Sequence, residues 1–235
     1  MCDLRGLRGH RFDKNYFEGI FGREDPWGFG SSIYDQTEFQ RELSFARSFV
    51  TDPRRILELG AAEGHFSRMI LDVYPKSRLT AVEWAPSAVK RLRAHLRGLS
   101  ARVVSGDIRN VIERFDNGSF GLVFCNETIY YLGQQCSLPD LDHFFRTLSD
   151  KIAPDGVLEM SSLVRVAKGD EVEIVDPFFQ SVYLRIVRRY FDMRVRARFV
   201  EKDSDGLSNE YEICAFKSPP ERNGSGFVPA KRGRN

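Results

Sequence analysis

The chain contains the run Ile56-Leu57-Glu58-Leu59-Gly60-Ala61-Ala62-Glu63-Gly64-His65-Phe66, in which an apolar segment leads into a turn of small residues. The apolar part predicts a buried strand, and the turn lets a ligand approach the backbone closely before a helix begins. Small residues stand at Gly60, Ala62 and Gly64, whereas a dinucleotide turn places them at i, i+2 and i+5. Glu58 would repel a pyrophosphate but can accept a hydrogen bond from an ammonium group. The turn therefore favours a ligand with a zwitterionic aminoacyl end.

The composition limits the classes of protein to which the chain can belong. A chain of 235 residues with 42% hydrophobic content can bury one sizeable core, and its net charge of +2 gives no global field for nucleic acid or an anionic membrane. The four cysteines are scattered, which predicts neither a metal site nor a disulfide framework. No apolar run approaches the roughly 18 residues of a membrane span, and the N-terminus has no apolar signal core. We therefore expect a reduced, cytoplasmic protein.

Short apolar runs alternate with helical patterns from Arg55 onward, which predicts βα units and a parallel sheet. The predicted strands are 55–59, 78–83, 101–105, 122–126 and 156–163, followed by a pair at 194–200 and 211–217. The predicted helices are 64–73, 86–96, 111–115 and 138–152, with a partly helical insert near 176–190. This order predicts an α/β, Rossmann-like sheet of seven mostly parallel strands, with helices on both faces and the last strand antiparallel.

Acidic residues also stand at the ends of the second and third strands. Glu83 lies 19 positions after Gly64, about where nucleoside-binding sheets hold the ribose hydroxyls. Trp84 can lie against an adenine face or serve in packing. Asp107 can accept a hydrogen bond from the adenine amino group, or it can cap the helix that follows. Acids at three consecutive strand ends together indicate a nucleoside ligand.

The segment Asn126-Glu127-Thr128-Ile129-Tyr130-Tyr131-Leu132 follows the fourth strand. The crevice at the carboxyl ends of parallel strands holds the ligand in open α/β sheets, so this segment should face the reacting group. Glu127 can accept a proton or hold a cationic amine, while Tyr130 and Tyr131 can shape an acceptor pocket or pack in the core. His65 is either a base for a hydroxyl acceptor or a helix-start residue that contacts the ligand through its backbone.

Three arginines alternate along the penultimate strand, at Arg194, Arg196 and Arg198. Alternation places them on one face of the strand. An outer strand that faces solvent explains the pattern, and so does an acceptor that bears a phosphate.

These residues resemble class I S-adenosylmethionine methyltransferases, and within them the nodulation protein S type. The likeness to the class is carried by Glu58 to Gly64, Glu83, Gly106-Asp107-Ile108 and Asn126-Glu127. The narrower likeness rests on Asp25-Pro26-Trp27-Gly28, Ser32-Ile33-Tyr34-Asp35-Gln36, Ala61-Ala62 and Glu127 to Leu132.

The resemblance implies S-adenosylmethionine as the cofactor, and the residues expected to bind it are Trp27, Tyr34, Glu58, Gly60, Ala62, Gly64, Glu83, Trp84, Asp107, Ile108 and Asn126. The expected catalytic residues are Glu127, Tyr130, Tyr131 and His65, with no metal. The pattern along the chain predicts an N-terminal cap at 1–48, a methyltransferase domain at 49–218 and, from its prolines, glycines and basic residues, a disordered tail at 219–235.

The resemblance further implies N-methylation of an amino sugar, with the N-terminal segment closing over cofactor and acceptor. Similar sequences occur among tailoring enzymes for sugar-containing antibiotics, so O-methylation of a small-molecule hydroxyl and a non-catalytic binding module remain alternatives. We expect a small-molecule partner, no nucleic acid, since Asn126 opens no Asn-Pro-Pro-Tyr-like signature, no membrane, and a monomer or homodimer.

Overall fold

The structure is a computed structural model that describes residues 12–169, 171–176, 178–202 and 206–219. The tail predicted at 219–235 lies outside the described residues apart from Pro219, as do the first eleven residues of the predicted cap.

One mixed sheet forms the centre of the molecule. Five parallel strands stand in the order β3-β2-β1-β4-β5, and β8 and then β7 complete the far side. Their bounds are β1 Arg55–Leu59, β2 Arg78–Glu83, β3 Ala101–Ser105, β4 Phe120–Asn126, β5 Ile152–Lys168, β7 Asp192–Lys202 and β8 Ser208–Lys217. Strand β8 inserts antiparallel between β5 and β7. The Rossmann-like α/β sheet with an antiparallel last strand is thus confirmed.

The sheet has eight strands rather than the predicted seven. Strand β5 continues five residues beyond the predicted end at Leu163, and Gly169, with φ of 58°, turns the chain into β6 at Glu171–Ile174. Strand β6 pairs antiparallel with the end of β5, and all four of its residues are exposed. Its residues Glu171-Val172-Glu173-Ile174 alternate between polar and apolar side chains, a short strand signal that the sequence analysis did not assign.

Eight α-helices flank the described sheet. Their bounds are α1 Lys14–Ile20, α2 Ile33–Arg47, α3 His65–Val73, α4 Pro86–His95, α5 Ile108–Val111, α6 Ile129–Gly133, α7 Leu138–Lys151 and α8 Leu184–Val187. Helix α2 begins at Ile33, because the Ser32 hydroxyl accepts a hydrogen bond from the Asp35 N–H and caps the helix. The predicted helix at 111–115 is instead α5 followed by a 3₁₀ turn at Ile112–Arg114. The predicted insert contains a π-helical turn, Phe179–Tyr183, and α8.

Two apolar cores cover the two faces of the sheet. Neighbouring strand residues point to opposite faces, so Ile56 contributes to one core and Leu57 to the other. Helix α2 joins the Ile56 core through Leu43 and Ala46, whereas α7 and α8 pack on the opposite face. The N-terminal region is therefore packed against the sheet through α2. No helix in the described ranges is long and apolar enough to cross a membrane.

Candidate functional site

The turn after β1 has a backbone that favours glycine. The φ angles of Gly60, Ala62 and Gly64 are 81°, 47° and 95°, in the left-handed region. A Cβ atom at Gly60 would collide with the Thr128 hydroxyl, and one at Gly64 would lie 2.6 Å from the Leu92 Cδ1 atom. Both glycines are thus required by their φ angles and by packing against neighbours. Ala62 adopts the same region with a Cβ, so it carries backbone strain.

A cavity of about 1280 Å³ opens at the carboxyl ends of β1, β2 and β4. The predicted site residues that line it are Trp27, Tyr34, Glu58, Gly60, Ala62, His65, Glu83, Trp84, Asp107, Ile108, Asn126, Glu127, Tyr130 and Tyr131. Gly64 is the predicted site residue that does not line this cavity. It packs against Leu92 of α4 instead, because the helix must approach the turn closely at that point.

Two buried carboxyl groups stand at the ends of β1 and β2. Glu58 accepts a hydrogen bond from the Ser67 hydroxyl at 2.5 Å, and burial raises the pKa of Glu58 to about 8. Glu83 accepts hydrogen bonds from the backbone N–H groups of Ala62, Trp84 and Ala85, at 2.9, 2.6 and 2.9 Å. Burial raises the pKa of Glu83 to about 7. Glu83 thereby holds the strained turn residue Ala62 in place from the neighbouring strand.

Asp107 performs the capping role that the sequence left open as an alternative. Its carboxylate accepts a hydrogen bond from the Arg109 N–H at 3.0 Å and caps α5. Both oxygens also accept from the Arg109 Nε at 2.9 Å, and this ion pair raises the pKa of Arg109. The side chain still lines the cavity, so capping and ligand contact are compatible at this position.

The N-terminal segment is fastened to the turn. The Asp25 N–H donates to Glu63 Oε2 at 2.8 Å, and the Arg91 guanidinium contacts both the Glu63 carboxylate and the Phe21 carbonyl. The Trp27 ring packs edge-to-face on Phe21, with 4.7 Å between ring centroids. These contacts hold Trp27 at the wall of the cavity.

His65 lies at the junction of this segment and the turn. Its side chain is 25% exposed, its Nε2 atom is 3.9 Å from the Asp25 carboxylate, and burial lowers its pKa. Asp25, Glu63 and His65 offer ligand atoms within 4.8 Å of one another, a spacing that can hold a metal ion. Asp25 is 38 positions from Glu63, so no sequence spacing could reveal the group. Because Glu63 is already paired with Arg91, we assign it no metal.

Glu38 and Glu42, which the sequence reading missed, line the cavity together with Glu127; we call these three residues the acidic lobe. Glu38 is 4% exposed and Glu42 is 1% exposed. The Ser161 hydroxyl donates to Glu42 Oε1. One oxygen of each of the three carboxyl groups is buried without a hydrogen-bond partner. Buried carboxyl groups with spare oxygens are rare unless a ligand satisfies them.

The electrostatics of the acidic lobe follow from burial and mutual repulsion. Burial raises the pKa of Glu42 to about 7. Burial and the nearby Glu42 raise the pKa values of Glu38 and Glu127 well above the ordinary value. Among the described residues, no lysine or arginine forms an ion pair with any of the three. A cationic ligand would relieve this repulsion and favour the ionised carboxylates.

Backbone geometry and a tyrosine pair fix the surroundings of the lobe. Glu127 has φ of 49°, and its N–H donates to the Ser161 carbonyl at 3.1 Å. The next residue, Thr128, donates from its hydroxyl to the Leu59 carbonyl at 3.1 Å, which ties this segment to the β1 turn. On the other side, the Tyr34 hydroxyl donates to the Tyr211 hydroxyl at 2.6 Å. Glu127 thus lies where the acidic lobe meets the turn after β1.

Known proteins resemble this chain in sequence and in fold. Residues 56–156 match the family described as "Methyltransferase domain". A malonyl-[acyl-carrier protein] O-methyltransferase of Halorhodospira halophila is 33% identical over 107 residues, which are 45% of this chain and 34% of that protein. The corresponding protein of Anoxybacillus flavithermus is 28% identical over 107 residues, 43% of this chain and 39% of that protein. The aligned region thus spans less than two fifths of the length of these relatives.

Solved structures share the fold across most of the chain. The N-methyltransferase NodS from Bradyrhizobium japonicum WM9, in complex with S-adenosyl-L-homocysteine, has a TM-score of 0.68 at 18% identity and covers 88% of this chain and 98% of its own. The [4+2]-cyclase SpnF has a TM-score of 0.61 at 12% identity and covers 82% and 85%. The matched region is thus similar to a methyltransferase domain, and the solved structures show that the chain shares their fold.

Proposed function

We propose that the chain is an S-adenosylmethionine-dependent N-methyltransferase whose acceptor is a small molecule that carries an amine, of the amino-sugar class. The observation that carries this proposal is the acidic lobe. Glu38 and Glu42 are buried and Glu127 is half-buried, each has one buried oxygen without a hydrogen-bond partner, and none of the three forms an ion pair with a lysine or arginine of the described residues. An amine-bearing acceptor supplies the positive charge and the N–H donors that these oxygens need.

The cofactor half of the cavity fits S-adenosylmethionine. Glu58 can accept from the ammonium of the aminoacyl group, the left-handed turn at Gly60 and Ala62 admits close backbone contact, and Glu83 retains lone pairs for the ribose hydroxyls. Trp84, Asp107 and Ile108 then surround the adenine. When bound, the cofactor supplies a methyl group on a sulfonium, which an amine nitrogen can take by in-line displacement while the electron pair of the broken bond stays on sulfur.

The acidic lobe prepares the amine for this reaction. An ammonium has no free electron pair, so one proton must leave before the nitrogen can react. Glu127 lies on the cofactor side of the lobe, and burial raises its pKa, so its carboxylate form is a stronger base than an ordinary glutamate and can take that proton. Tyr130 and Tyr131 line the same region and help to exclude water, and orientation supplies much of the remaining acceleration.

The acceptor named for the curated relatives does not suit this lobe. A malonyl group presents a carboxylate, and an anion beside Glu38, Glu42 and Glu127 would meet repulsion without a compensating cation. A hydroxyl acceptor would need a base directly beside it. His65 is the candidate for that base, but it stands at the Asp25 side of the turn rather than in the acidic lobe.

The test is a methyl-transfer screen with isotopically labelled cofactor and mass-spectrometric detection. The acceptors are amino sugars, their N-acetylated counterparts and malonyl thioesters. We expect mass gain only on compounds with a free amine. Glu127→Gln should lower kcat/KM by about a hundredfold or more, in the range of a lost general base, while S-adenosylhomocysteine affinity stays unchanged. Glu113→Gln, at a 57% exposed side chain, is the matched control. Methylation confined to hydroxyl or carboxyl groups would overturn the proposal.

A further inference from the structure

We propose that the preferred acceptor carries two amines: one that reacts beside Glu127, and a second that remains protonated and binds Glu38 and Glu42. The inference rests on the proposed N-methyltransferase function and specifies its substrate class. Its basis is the placement of the three acids on two separate elements and the charge that they leave uncompensated.

The three carboxyl groups occupy two positions in the cavity. Glu127 follows β4, and its neighbour Thr128 is tied to the Leu59 carbonyl at the start of the cofactor turn. Glu38 and Glu42 are one turn apart on α2, where Glu38 neighbours the Tyr211 hydroxyl and Glu42 accepts from the Ser161 hydroxyl. Residues four apart lie on the same helix face. The α2 pair thus forms a second anionic position beside the Glu127 position.

A single amine cannot satisfy both positions during the reaction. The reacting nitrogen must be neutral, so it contributes no positive charge at the moment of transfer. Glu38 and Glu42, which are 4% and 1% exposed, would then keep buried unpartnered oxygens and their mutual repulsion. A second ammonium that does not react would donate to both α2 carboxylates throughout turnover. It would also orient the acceptor, because two anchored ends fix the direction of the reacting nitrogen.

The spacing of the acids disfavours a metal ion in this role. Within the described ranges, Asp25, Glu63 and His65 form the group of potential metal ligands whose donor atoms all lie within 4.8 Å of one another. The acidic lobe does not meet that criterion, so its three carboxyl groups are too widely spaced to coordinate one ion together. An organic dication, whose charges are separated by several bonds, matches separate anionic positions better.

The test uses two acceptors that differ by one amine, 2-amino-2-deoxyglucose and 2,6-diamino-2,6-dideoxyglucose, with 6-amino-6-deoxyglucose as the third member. A charge-assisted hydrogen bond corresponds to about tenfold or more in binding. We therefore expect kcat/KM for the diamine to exceed that of either monoamine at least about tenfold. Glu38→Gln should reduce this ratio towards one by raising the KM of the diamine, and Glu113→Gln should leave the ratio unchanged. Equal kcat/KM for the three acceptors, or a Glu38→Gln effect of the same size on all of them, would overturn the inference.

A binding measurement separates this inference from the proposed function. Calorimetry of the three sugars with the protein saturated in S-adenosylhomocysteine reports acceptor recognition without turnover. If the diamine binds most tightly and yet no amine gains a methyl group, the proposed reaction fails while the dication site stands. If methyl transfer occurs and the diamine binds no more tightly than the monoamines, the dication site fails while the proposed reaction stands.

Discussion

Glu42→Gln should remove a pH dependence of stability that the buried carboxyl group imposes on the fold. Glu42 is 1% exposed, and the Ser161 hydroxyl that donates to its Oε1 can donate equally to a glutamine oxygen. The groups that face it are the acids Glu38, Glu58, Glu127 and Glu159 and the amide of Asn126. No cation among the described residues compensates its ionisation, so the neutral amide should fit the site better than the carboxylate.

The size and sign of the effect follow from the two pKa values. The unfolded carboxyl group titrates at its ordinary value of 4.5, and the folded one at about 7. Because the folded pKa is raised, Glu42 stabilises the fold fully below pH 4.5, and that contribution is lost as the pH rises to 7. The loss amounts to about 1.4 kcal/mol per pH unit and about 3 kcal/mol in total. The stability of the glutamine variant relative to the wild type should therefore increase from pH 4.5 to about pH 7 and stay constant above it.

Urea denaturation of both proteins at pH 5, 6, 7 and 8 measures the difference. We expect the free energies of unfolding to differ by less than about 1 kcal/mol at pH 5 and by about 3 kcal/mol in favour of the variant at pH 8. Glu113→Gln, an exposed control, should differ from the wild type by less than about 0.5 kcal/mol at every pH. A difference between wild type and Glu42→Gln that does not change with pH would refute the reasoning.

Further substitutions test the turn and its attachments. Ala62→Gly relieves a φ of 47° and should raise the free energy of unfolding by about 0.5–1 kcal/mol, visible as a higher melting temperature; an unchanged or lower value would contradict the assigned strain. Gly60→Ala should cost about 2 kcal/mol or more, since the new Cβ meets Thr128, and thermal unfolding that matches wild type would exclude that clash. Glu83→Gln replaces one acceptor oxygen by a donor facing backbone N–H groups, so calorimetry should show at least about tenfold weaker S-adenosylhomocysteine binding. Arg91→Ala should speed limited proteolysis within residues 12–31, because Arg91 holds that segment, and equal cleavage rates would show that other contacts suffice.

The sheet and the cofactor side of the site were predictable because their signals are local. The apolar run before Gly60, the small turn and the acid at Glu83 are each contained in a few consecutive residues, and parallel strands bring their carboxyl ends to one edge. The reason for Gly64 was not predictable. Its need for glycine comes from its φ of 95° and from the close approach of Leu92, a residue of α4 that no local pattern can identify.

The acidic lobe was not predicted as a group, because none of its glutamates stands out from other charged residues when the sequence is considered alone. Glu38 and Glu42 are polar positions of an amphipathic helix, and such positions usually face solvent. The available signal was that Glu38 and Glu42 lie beside the buried residues Leu43 and Ala46. Together these residues make the buried face of α2 unusually wide. Recognising that both acids are buried requires the packing of α2 against the sheet, and this depends on residues more than a hundred positions away, such as Ser161.

The strand ends and helix α2 supply different parts of the site, and this separation explains how one fold can serve different reactions. Glu58, Glu83 and the turn stand at the strand ends of the sheet, whereas Glu38 and Glu42 come from α2, outside the matched domain at 56–156. Substitutions on α2 can therefore change the charge of the acidic lobe without moving a strand-end residue. A sheet of this kind is shared with an N-methyltransferase and with a cyclase, so the sheet alone does not determine the reaction. The acceptor chemistry of this chain should accordingly follow its α2 acids and Glu127, and exchanging Glu38 and Glu42 for lysines should turn the preference from cationic towards anionic acceptors. A methyl-transfer screen of that double variant in which amines are still preferred by the wild-type ratio would show that the lobe does not select the acceptor.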